Sequence, residues 1–251
     1  MRSRLREHLT RRGEGGALSA FGFREDVLID LAISRMVEFA ENDDAYVLRW
    51  ITERRERSRL RAEMVPLAEL DKWTIDRDTG NIFHESGKFF TISGVKARHR
   101  TRSVELEWDQ PIIDQPEIGI LGIAARKIDG VLHFCLQAKE EPGNIRGVQL
   151  SPTVQATYSN YTQAHGGAPP PLVGLFLDPP PERVLFAKLQ TEDGGRFLFK
   201  SNRNMIVLID GDELIGRENG FIWLTLRQIG MLLRQDNLVN ACARSVLACL
   251  V

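Results

Sequence analysis

Apolar residues recur at helical spacing between residues 24 and 61. Val27 and Leu31 begin one apolar face, and Val47 and Trp50 begin a second after a polar break. Apolar positions three to four residues apart share one side of a helix. The pattern therefore predicts two amphipathic helices in this part of the chain.

Two apolar runs further along the chain are separated by Asp129 and Gly130. Asp-Gly between alternating apolar runs is a strong signal for a tight hairpin turn. Residues 118–139 are therefore predicted to form a long antiparallel hairpin. A second hairpin is predicted where "RVLFAKLQT" and "RFLFKSNRNMIVLI" flank the turn at Glu192–Gly195.

Helix starts are predicted nearer the C-terminus from capping residues. Ser151 followed by Pro152 is typical of an N-cap and a first helical position, so residues 151–163 are predicted as a short helix. Thr225 precedes "LRQIGMLL" as an N-cap, and "NACARSVLACL" is predicted as a final apolar helix.

Together these elements predict three segments. Residues 1–22 are rich in Arg and Gly without periodicity, which indicates a flexible tail. Residues 23–64 form a helical N-terminal extension. Residues 65–251 form a single α+β module.

Composition limits the functional classes. The formal net charge of -1 gives no overall field that would favour nucleic acid or a membrane, so neither is expected as a partner. Three cysteines without CxxC spacing predict free thiols and a cytoplasmic localisation. The sequence carries no phosphate-binding glycine loop, no zinc spacing and no GxSxG motif. The glutamate-rich helix that binds magnesium in Nudix hydrolases is also missing, so a metal-dependent hydrolase is not expected.

The most informative stretch is "HFCLQAKEEPGNIRGVQLSPTVQATYSNYTQAHGG", residues 133–167. It begins as an apolar strand and becomes polar with Gln, Asn, Tyr, Lys, Glu and His. In other polar stretches of the sequence, Arg196, Lys200 and Arg203 suit a diphosphate, and Trp108 suits a stacked base. The residues predict a pocket for a nucleotide-linked or otherwise anionic, polyhydroxylated ligand.

Each of these residues also has a simpler explanation. Trp108 suits a core position, His133 a structural hydrogen bond, and Lys139 with Glu141 an ordinary salt bridge. The six arginines between Arg49 and Arg61 suit a solvated helix face as well as a phosphate-binding or RNA-binding helix. The density of polar residues on strands, more than any one of them, favours a functional site.

Seven motifs resemble, in order over residues 65–251, those of the NDP-hexose 2,3-dehydratases. They are "HESGKFFTISGV", "WDQPIIDQPEIGILGI", "LHFCLQAKEEPGN", "QLSPTVQATYSNYTQAHGG", "LQTEDGGRFLFKSNRNMIV", "WLTLRQIGMLL" and "VNACARSVLACL". The resemblance implies a Nudix-like mixed β-sheet flanked by helices, without the magnesium-binding helix. It implies action on dTDP-4-keto-6-deoxyglucose, with loss of the C-2 hydroxyl to give a 3,4-diketo-2,6-dideoxy sugar for deoxysugar biosynthesis. It implies no redox cofactor and no metal.

Members of that family typically carry two tandem modules, whereas this sequence holds one. The intact "QAKEEPGN" and "QLSPTVQAT" favour a working site, so two chains are expected to pair as a two-fold homodimer. A half-enzyme that needs a partner, or a non-catalytic nucleotide-sugar binding module, stays open. Ser201 stands where the family leads us to expect a basic residue, which weakens a phosphate contact.

The substrate's chemistry then suggests roles. Glu141 is the expected base or acid, Lys139 the donor to the enolate oxygen, and Tyr161 or His165 the second proton carrier. Expected to hold the sugar hydroxyls are Gln137, Gln149, Thr153, Gln155 and Asn160. Expected at the nucleotide and diphosphate are Trp108, Arg196, Lys200, Arg203 and Arg244. Further substrate-binding candidates are Gln110, Asn144, Ser151, Gln190, Glu192, Asn202 and Asn204.

Overall fold

The computed structural model describes residues 24–161, 168–210 and 220–250. The predicted tail at residues 1–22 lies outside these ranges. The helices are α1 (Glu25–Met36), α2 (Asp44–Glu56), α3 (Tyr158–Tyr161), α4 (Gly174–Leu177), α5 (Leu226–Leu233) and α6 (Ala241–Leu247). The strands are β1 (Trp73–Ile75), β2 (Ile82–His84), β3 (Thr91–Arg100), β4 (Glu105–Asp114), β5 (Gly119–Ile128), β6 (Val131–Glu140), β7 (Val148–Pro152), β8 (Val154–Ala156), β9 (Val184–Thr191), β10 (Ser201–Leu208) and β11 (Phe221–Leu224).

The larger sheet is mixed and has the order β11-β6-β5-β10-β9. Strands β5 and β10 are parallel, and the other pairs are antiparallel. The predicted hairpins are confirmed as β5–β6 and β9–β10. The α+β class with a mixed sheet flanked by helices is therefore confirmed.

The β5–β6 pair opens into a fork at one end of this sheet. The two strands pair with each other only from Ala125–Phe134 to Ile128–Val131. Beyond that point β7 pairs with the end of β6, and β8 pairs with the start of β5. The β7–β8 segment therefore fills the fork as a wedge.

The wedge overturns one prediction from the sequence. Residues 151–156 belong to strands, so the helix predicted at 151–163 is wrong over its first half, and only Tyr158–Tyr161 is helical. Ser151 does not cap a helix, because its hydroxyl is fully buried and donates to the carbonyl of Pro152 at 3.1 Å. Pairing with β6 and β5 outweighed the local capping signal.

The second hairpin also differs from its prediction. Its second strand begins at Ser201, and residues 193–200 form a loop instead of a strand. Phe199 has a φ of 48° and a side chain that is 96% exposed, so the chain turns there. Leu198 donates its N–H to the carbonyl of Ile113 at 2.9 Å, which draws the loop towards β4.

Helices cover one face of the larger sheet and bury most of the core there. The residues of α1 and α2 join this core, so the predicted extension at 23–64 packs with the residues that follow it. The buried residues of this core include Leu31, Trp50, Phe134, Ile206 and Ile229. A smaller core on the opposite face contains Met205 and Phe176. Thr225 caps α5 as predicted, within a reciprocal capping box.

The first strands form a separate smaller sheet in the order β1-β2-β3-β4. Most of its side chains are exposed or half-buried. It joins the rest of the fold where Ile113 donates its N–H to the carbonyl of Arg196 at 2.8 Å. This sheet therefore stands beside the core and adds little to it.

His133 has the structural role that the sequence left as one alternative. It is buried in mid-strand, and its Nδ1 lies 2.9 Å from the carbonyl of Val131. Its Nε2 accepts the N–H of Glu41 at 3.1 Å, which fixes Nδ1 as the donor. Burial lowers the pKa of this imidazole. The histidine is neutral and serves to link the segment before α2 to the sheet.

Candidate functional site

Thr153 closes the narrow end of the fork. Its hydroxyl donates to the carbonyl of Cys135 at 2.6 Å and accepts the N–H of Ala124 at 2.9 Å. These are the backbone groups that β5 and β6 would otherwise offer to each other. Thr153 is only 2% exposed, so the structure gives this predicted sugar contact a structural role.

A carboxylate–amine pair lies at the wide end of the fork. Lys139 Nζ is 3.4 Å from Glu141 Oε1, with side chains 27% and 31% exposed. Gln155 Nε2 donates to the same Oε1 at 2.9 Å, and Asn240 Nδ2 donates to Gln155 Oε1 at 3.1 Å. Asn240 is itself fixed as the N-cap of α6, where it accepts the N–H of Ala243 at 2.8 Å. Among the residues that the structure describes, these contacts reach Glu141 through Oε1 alone.

A second group of polar side chains reaches the same region from β9 and β10. Asn202 donates to Glu192 and accepts the N–H of Gly119 at 3.3 Å. Burial first, and then the charges of Glu192 and Glu141, raise the pKa of the Cys242 thiol to about 11. That thiol therefore lies within electrostatic reach of both carboxylates. We call Lys139, Glu141, Gln155, Glu192, Asn202, Asn240 and Cys242 the fork cluster.

Glu117 lies just before β5, at the same end of the sheet, and its side chain holds Ser159 of α3. Its Oε2 accepts the N–H of Ser159 at 3.1 Å and the Ser159 hydroxyl at 2.9 Å. The ammonium of Lys200 donates to the backbone carbonyl of Glu117. Burial lowers the pKa of Lys200, which is 5% exposed. Lys200, which the sequence predicted as a phosphate ligand, therefore has its ammonium group engaged by a backbone carbonyl.

An open cleft of about 810 Å³ lies next to Glu117. Two tyrosines line it, Tyr158 and Tyr161, whose ring centroids are 5.3 Å apart. Burial and the neighbouring Tyr158 raise the pKa of Tyr161. Arg203 lines the same cleft. Tyr161 therefore belongs to this cleft and not to the Lys139–Glu141 pair, and His165 lies outside the described residues.

Other predicted ligands lie on the smaller sheet and its contact loop. Trp108 is not a core residue, since it is 48% exposed on β4. Its Nε1 donates to Gln110, and Gln110 donates to the carbonyl of Gly195 at 2.7 Å. Arg196 lies in the same loop, is exposed, and pairs with Asp193 at 3.6 Å. The structure does not bring these three residues to the fork cluster.

Several more predicted ligands have structural contacts. Asn144 closes the β6–β7 turn through the carbonyls of Lys139 and Gly147. Asn204 is fully buried and donates to Ser245 on α6. Gln149 donates weakly to the carbonyl of Asn237 at 3.4 Å.

The remaining predicted ligands are dispersed. Gln137 is half-buried on β6 where that strand pairs with both β7 and β11. Gln190 is exposed on β9 opposite Asn202, and Asn160 is exposed within α3. Arg244 lies on α6 in a separate basic pocket with Arg227 and others. One site therefore does not contain all of these residues.

No site role followed from the sequence for two residues that the geometry makes important, Glu117 and Cys242. Glu117 lies in the motif "WDQPIIDQPEIGILGI", and its role is shown by its contact with the distant Ser159. Asn240, in the motif "VNACARSVLACL", is suited by residue type either to a polar site or to satisfying turn backbone, and in the structure it caps α6 while its amide group also holds Gln155. Cys242 looked like a core thiol because its neighbours in sequence are apolar.

Within the described ranges, no three His, Cys, Asp or Glu side chains come together in a way that would hold a metal ion. In the same ranges, no helix has the length and apolar character needed to cross a membrane. The fold is an α+β domain with a half-buried Lys139–Glu141 ion pair at the wide end of the fork and an open cleft next to Glu117.

Comparison with known proteins names the family. A model of the NDP-hexose 2,3-dehydratase family matches residues 44–250, and the chain belongs to this family. A dTDP-4-dehydro-6-deoxy-alpha-D-glucopyranose 2,3-dehydratase from Amycolatopsis orientalis is 51% identical over 205 residues, which cover 80% of this chain and 43% of the relative. Relatives of the same name are 46% identical in Saccharopolyspora spinosa, over 80% of this chain and 41% of the relative, and 44% identical in Streptomyces violaceoruber, over 79% and 44%. The chain therefore spans less than half the length of these relatives.

Proposed function

We propose that this protein is a dTDP-4-keto-6-deoxy-D-glucose 2,3-dehydratase, a carbon–oxygen lyase. The family match and the shared name of the three relatives support the reaction class and the substrate. The relatives are more than twice as long as the matched region, so the activity of this module is a proposal in its own right.

The observation that carries the proposal is the way Glu141 is held. Lys139 and Gln155 both contact Oε1, and among the described residues no hydrogen bond reaches Oε2. A carboxylate oxygen without a partner, on a side chain held in place by its other oxygen, is suited to take a proton from a bound substrate. Lys139 places a positive charge beside it, where negative charge would develop on the substrate.

Glu141 and Lys139 have separate roles in the proposed reaction. The ketone at carbon 4 acidifies the hydrogen at carbon 3, and Glu141 removes that proton to leave an enolate. Lys139 donates a hydrogen bond to the enolate oxygen. The electron pair then expels the hydroxyl at carbon 2, and the protonated Glu141 returns its proton to that hydroxyl, so that water leaves. The resulting enol tautomerises to the 3,4-diketone.

No redox cofactor enters this scheme. Loss of water leaves the oxidation state of the sugar as a whole unchanged, and the substrate's own ketone supplies the activation. The protein has to supply a base, a donor and a fixed geometry, and proton transfer by a positioned side chain is typically worth about 10²–10⁴-fold in rate. Gln155 and Asn240 serve as positioning residues, since they act on Glu141 and not on the reacting atoms.

We also propose the finer features that the family resemblance implies. The sheet is proposed to be Nudix-like, supported by its mixed order and its parallel β5–β10 pair. Two chains are proposed to form a homodimer that replaces the tandem modules, which a mass measurement by light scattering would test. A cytoplasmic location is supported by the three free thiols, Cys135, Cys242 and Cys249.

The experiment is a mass assay with the 4-keto sugar nucleotide. We expect the protein to convert it to a product lighter by one water. Glu141→Gln should lower kcat by about 10²-fold or more, because the amide cannot take the proton. Lys139→Met should lower kcat similarly. Glu107→Gln is the matched control, since Glu107 pairs with Arg98 at 2.5 Å on the exposed smaller sheet.

The two open alternatives give different results in the same assay. A non-catalytic binding module would bind dTDP and never release water. A half-enzyme would release water only when a second module is added. Wild-type rates in both Glu141→Gln and Lys139→Met would remove these residues from the mechanism.

A further inference from the structure

The basic pocket that contains Arg244 is a cavity of about 640 Å³ between α1, α5 and α6. Its volume falls in the usual range for small-molecule sites. Its lining residues come from the last turn of α1, from α5, and from α6 with the turn that follows it. None of the seven residues of the fork cluster lines it, so the proposed reaction leaves this pocket without a role.

Four arginines line the basic pocket, and among the residues that the structure describes no acidic side chain does. Arg227 has a partner, because its guanidinium donates to both oxygens of Asp44 at 2.7 and 2.9 Å. The other three are Arg35, Arg234 and Arg244, and all are exposed. Within the described ranges, neither a salt bridge nor a hydrogen bond engages the guanidinium groups of these three. Their positive charges therefore meet at one concave place without a carboxylate to balance them.

A simpler role explains part of this arrangement. Arg35 and Arg244 lie in the last turns of α1 and α6, and Arg234 is the C-cap residue of α5. A cation near a helix C-terminus is favoured by the helix dipole. That interaction does not use the N–H donors of a guanidinium, of which each arginine carries five. The donors are therefore left for an anion, and phosphate or carboxylate oxygens match their planar geometry.

The rest of the lining is apolar. It consists of Leu226, Ile229, Gly230, Leu233, Leu247, Ala248 and Leu250. Most of these leucines are buried, but Leu233 is 43% exposed at the pocket. None of the lining residues that the structure describes carries a side-chain hydrogen-bond acceptor, so the hydroxyl groups of a sugar would find no side chain to donate to. An apolar body suits this lining better than a hydroxyl-rich one.

Gly230 keeps space open within this lining. It lies inside α5, where glycine is a less favourable residue than alanine or leucine. A Cβ built on it would meet no atom within 4 Å, so no neighbouring side chain requires a glycine here. Its effect on the structure is to leave the wall of the pocket without a side chain.

We propose that the basic pocket binds a small anion with an apolar body, namely a phosphate monoester or carboxylate of an aryl or alkyl group. The anionic group lies on Arg234 and Arg244, and the apolar body lies against Leu233 and Gly230. The ligand differs in kind from a sugar nucleotide, since its body is not hydroxylated. The proposal does not depend on the dehydratase reaction, because binding is measured without turnover.

The test measures binding of phenyl phosphate by calorimetry on the whole protein. Glucose 1-phosphate carries the same anionic group on a hydroxylated body, and we expect it to bind about 10-fold more weakly or worse. Arg244→Gln should weaken phenyl phosphate by about 10-fold or more, since it removes a charged hydrogen bond. Gly230→Leu should weaken it by about 10-fold or more by filling the pocket. Circular dichroism should show this variant folded, because leucine favours a helix.

Two control variants remove a cation elsewhere. Arg102→Gln removes an exposed arginine between β3 and β4. Lys139→Met removes the ammonium group of the fork cluster. Both should bind phenyl phosphate with wild-type affinity, which would place the anion in the basic pocket and not at the Lys139–Glu141 pair.

The outcomes separate this proposal from the proposed function. Absence of phenyl phosphate binding by the wild-type protein would overturn the pocket, and so would wild-type affinity in both Arg244→Gln and Gly230→Leu. Affinity lost in Lys139→Met but kept in Arg244→Gln would also overturn it, because the anion would then bind at the fork cluster. Binding that depends on Arg244 and Gly230 in a protein that releases no water would support the pocket and count against the dehydratase.

Discussion

Thr153→Val tests how the fork is held together. Valine matches threonine in shape but cannot donate to the carbonyl of Cys135 or accept the N–H of Ala124, which threonine does at 2.6 and 2.9 Å. Both backbone groups would stay buried without partners, at about 1–3 kcal/mol each. Burial of the new methyl group offsets about 1 kcal/mol of this. The free energy of unfolding should therefore fall by roughly 1–5 kcal/mol.

Urea denaturation followed by circular dichroism measures this change. Thr153→Ser keeps the hydroxyl and should lose only about 1 kcal/mol for the missing methyl group. Thr101→Val is a control at an exposed turn, where the hydroxyl exchanges hydrogen bonds with the backbone of Val104. A Thr153→Val protein within about 0.5 kcal/mol of wild type would refute the view that this hydroxyl joins β5 to β6.

Other predictions concern packing, charge and thiol reactivity. Gly122→Ala should destabilise the protein by about 1–3 kcal/mol, because the new Cβ would lie 2.5 Å from the ring of the buried Phe176. Hydrogen bonds from Arg227 hold the pKa of Asp44 below its ordinary value, so this carboxylate adds stability above about pH 4 that is lost as pH falls through its lowered pKa. Asp44→Asn should therefore be less stable than wild type at pH 7, with the gap closing in acid. Glu192→Gln should speed alkylation of the Cys242 thiol at pH 8, because it removes a charge that raises the thiol pKa.

Each of these has a check. Gly94→Ala has open space around its new Cβ and should cost far less than Gly122→Ala in the same denaturation experiment. A gap between Asp44→Asn and wild type that stays constant from pH 7 to pH 3 would contradict the charge pairing. Alkylation followed by mass spectrometry reports the thiol, and an unchanged rate in Glu192→Gln would place that carboxylate away from Cys242.

Local sequence signals identified the hairpins and helix ends that depend on local chemistry. The Asp129-Gly130 turn and the Thr225 cap are read correctly because their backbone conformations are set by residues only a few positions apart. The Ser151-Pro152 signal misled for the opposite reason. There the chain is paired with β6, a strand whose partner cannot be identified from the capping residues themselves.

The candidate site likewise combines contacts between residues close in sequence with contacts between residues far apart in sequence. Lys139 and Glu141 are two residues apart, and their pairing follows from the sequence. Their contact with Gln155 depends on the wedge, and the role of Glu117 depends on a contact with Ser159 that spans 42 residues. Arg244 looked like a phosphate ligand by its type, yet the helix turns it into another pocket. Residue type alone cannot report the direction in which a side chain points.

Glu141 is proposed to be the base of a 2,3-dehydratase. The most direct measurement is the mass of the product after incubation of the 4-keto sugar nucleotide with wild-type protein and with Glu141→Gln. If Glu141 is the base, wild type should release one water and the variant almost none, while both still bind dTDP. Equal loss of water by the two proteins would contradict it.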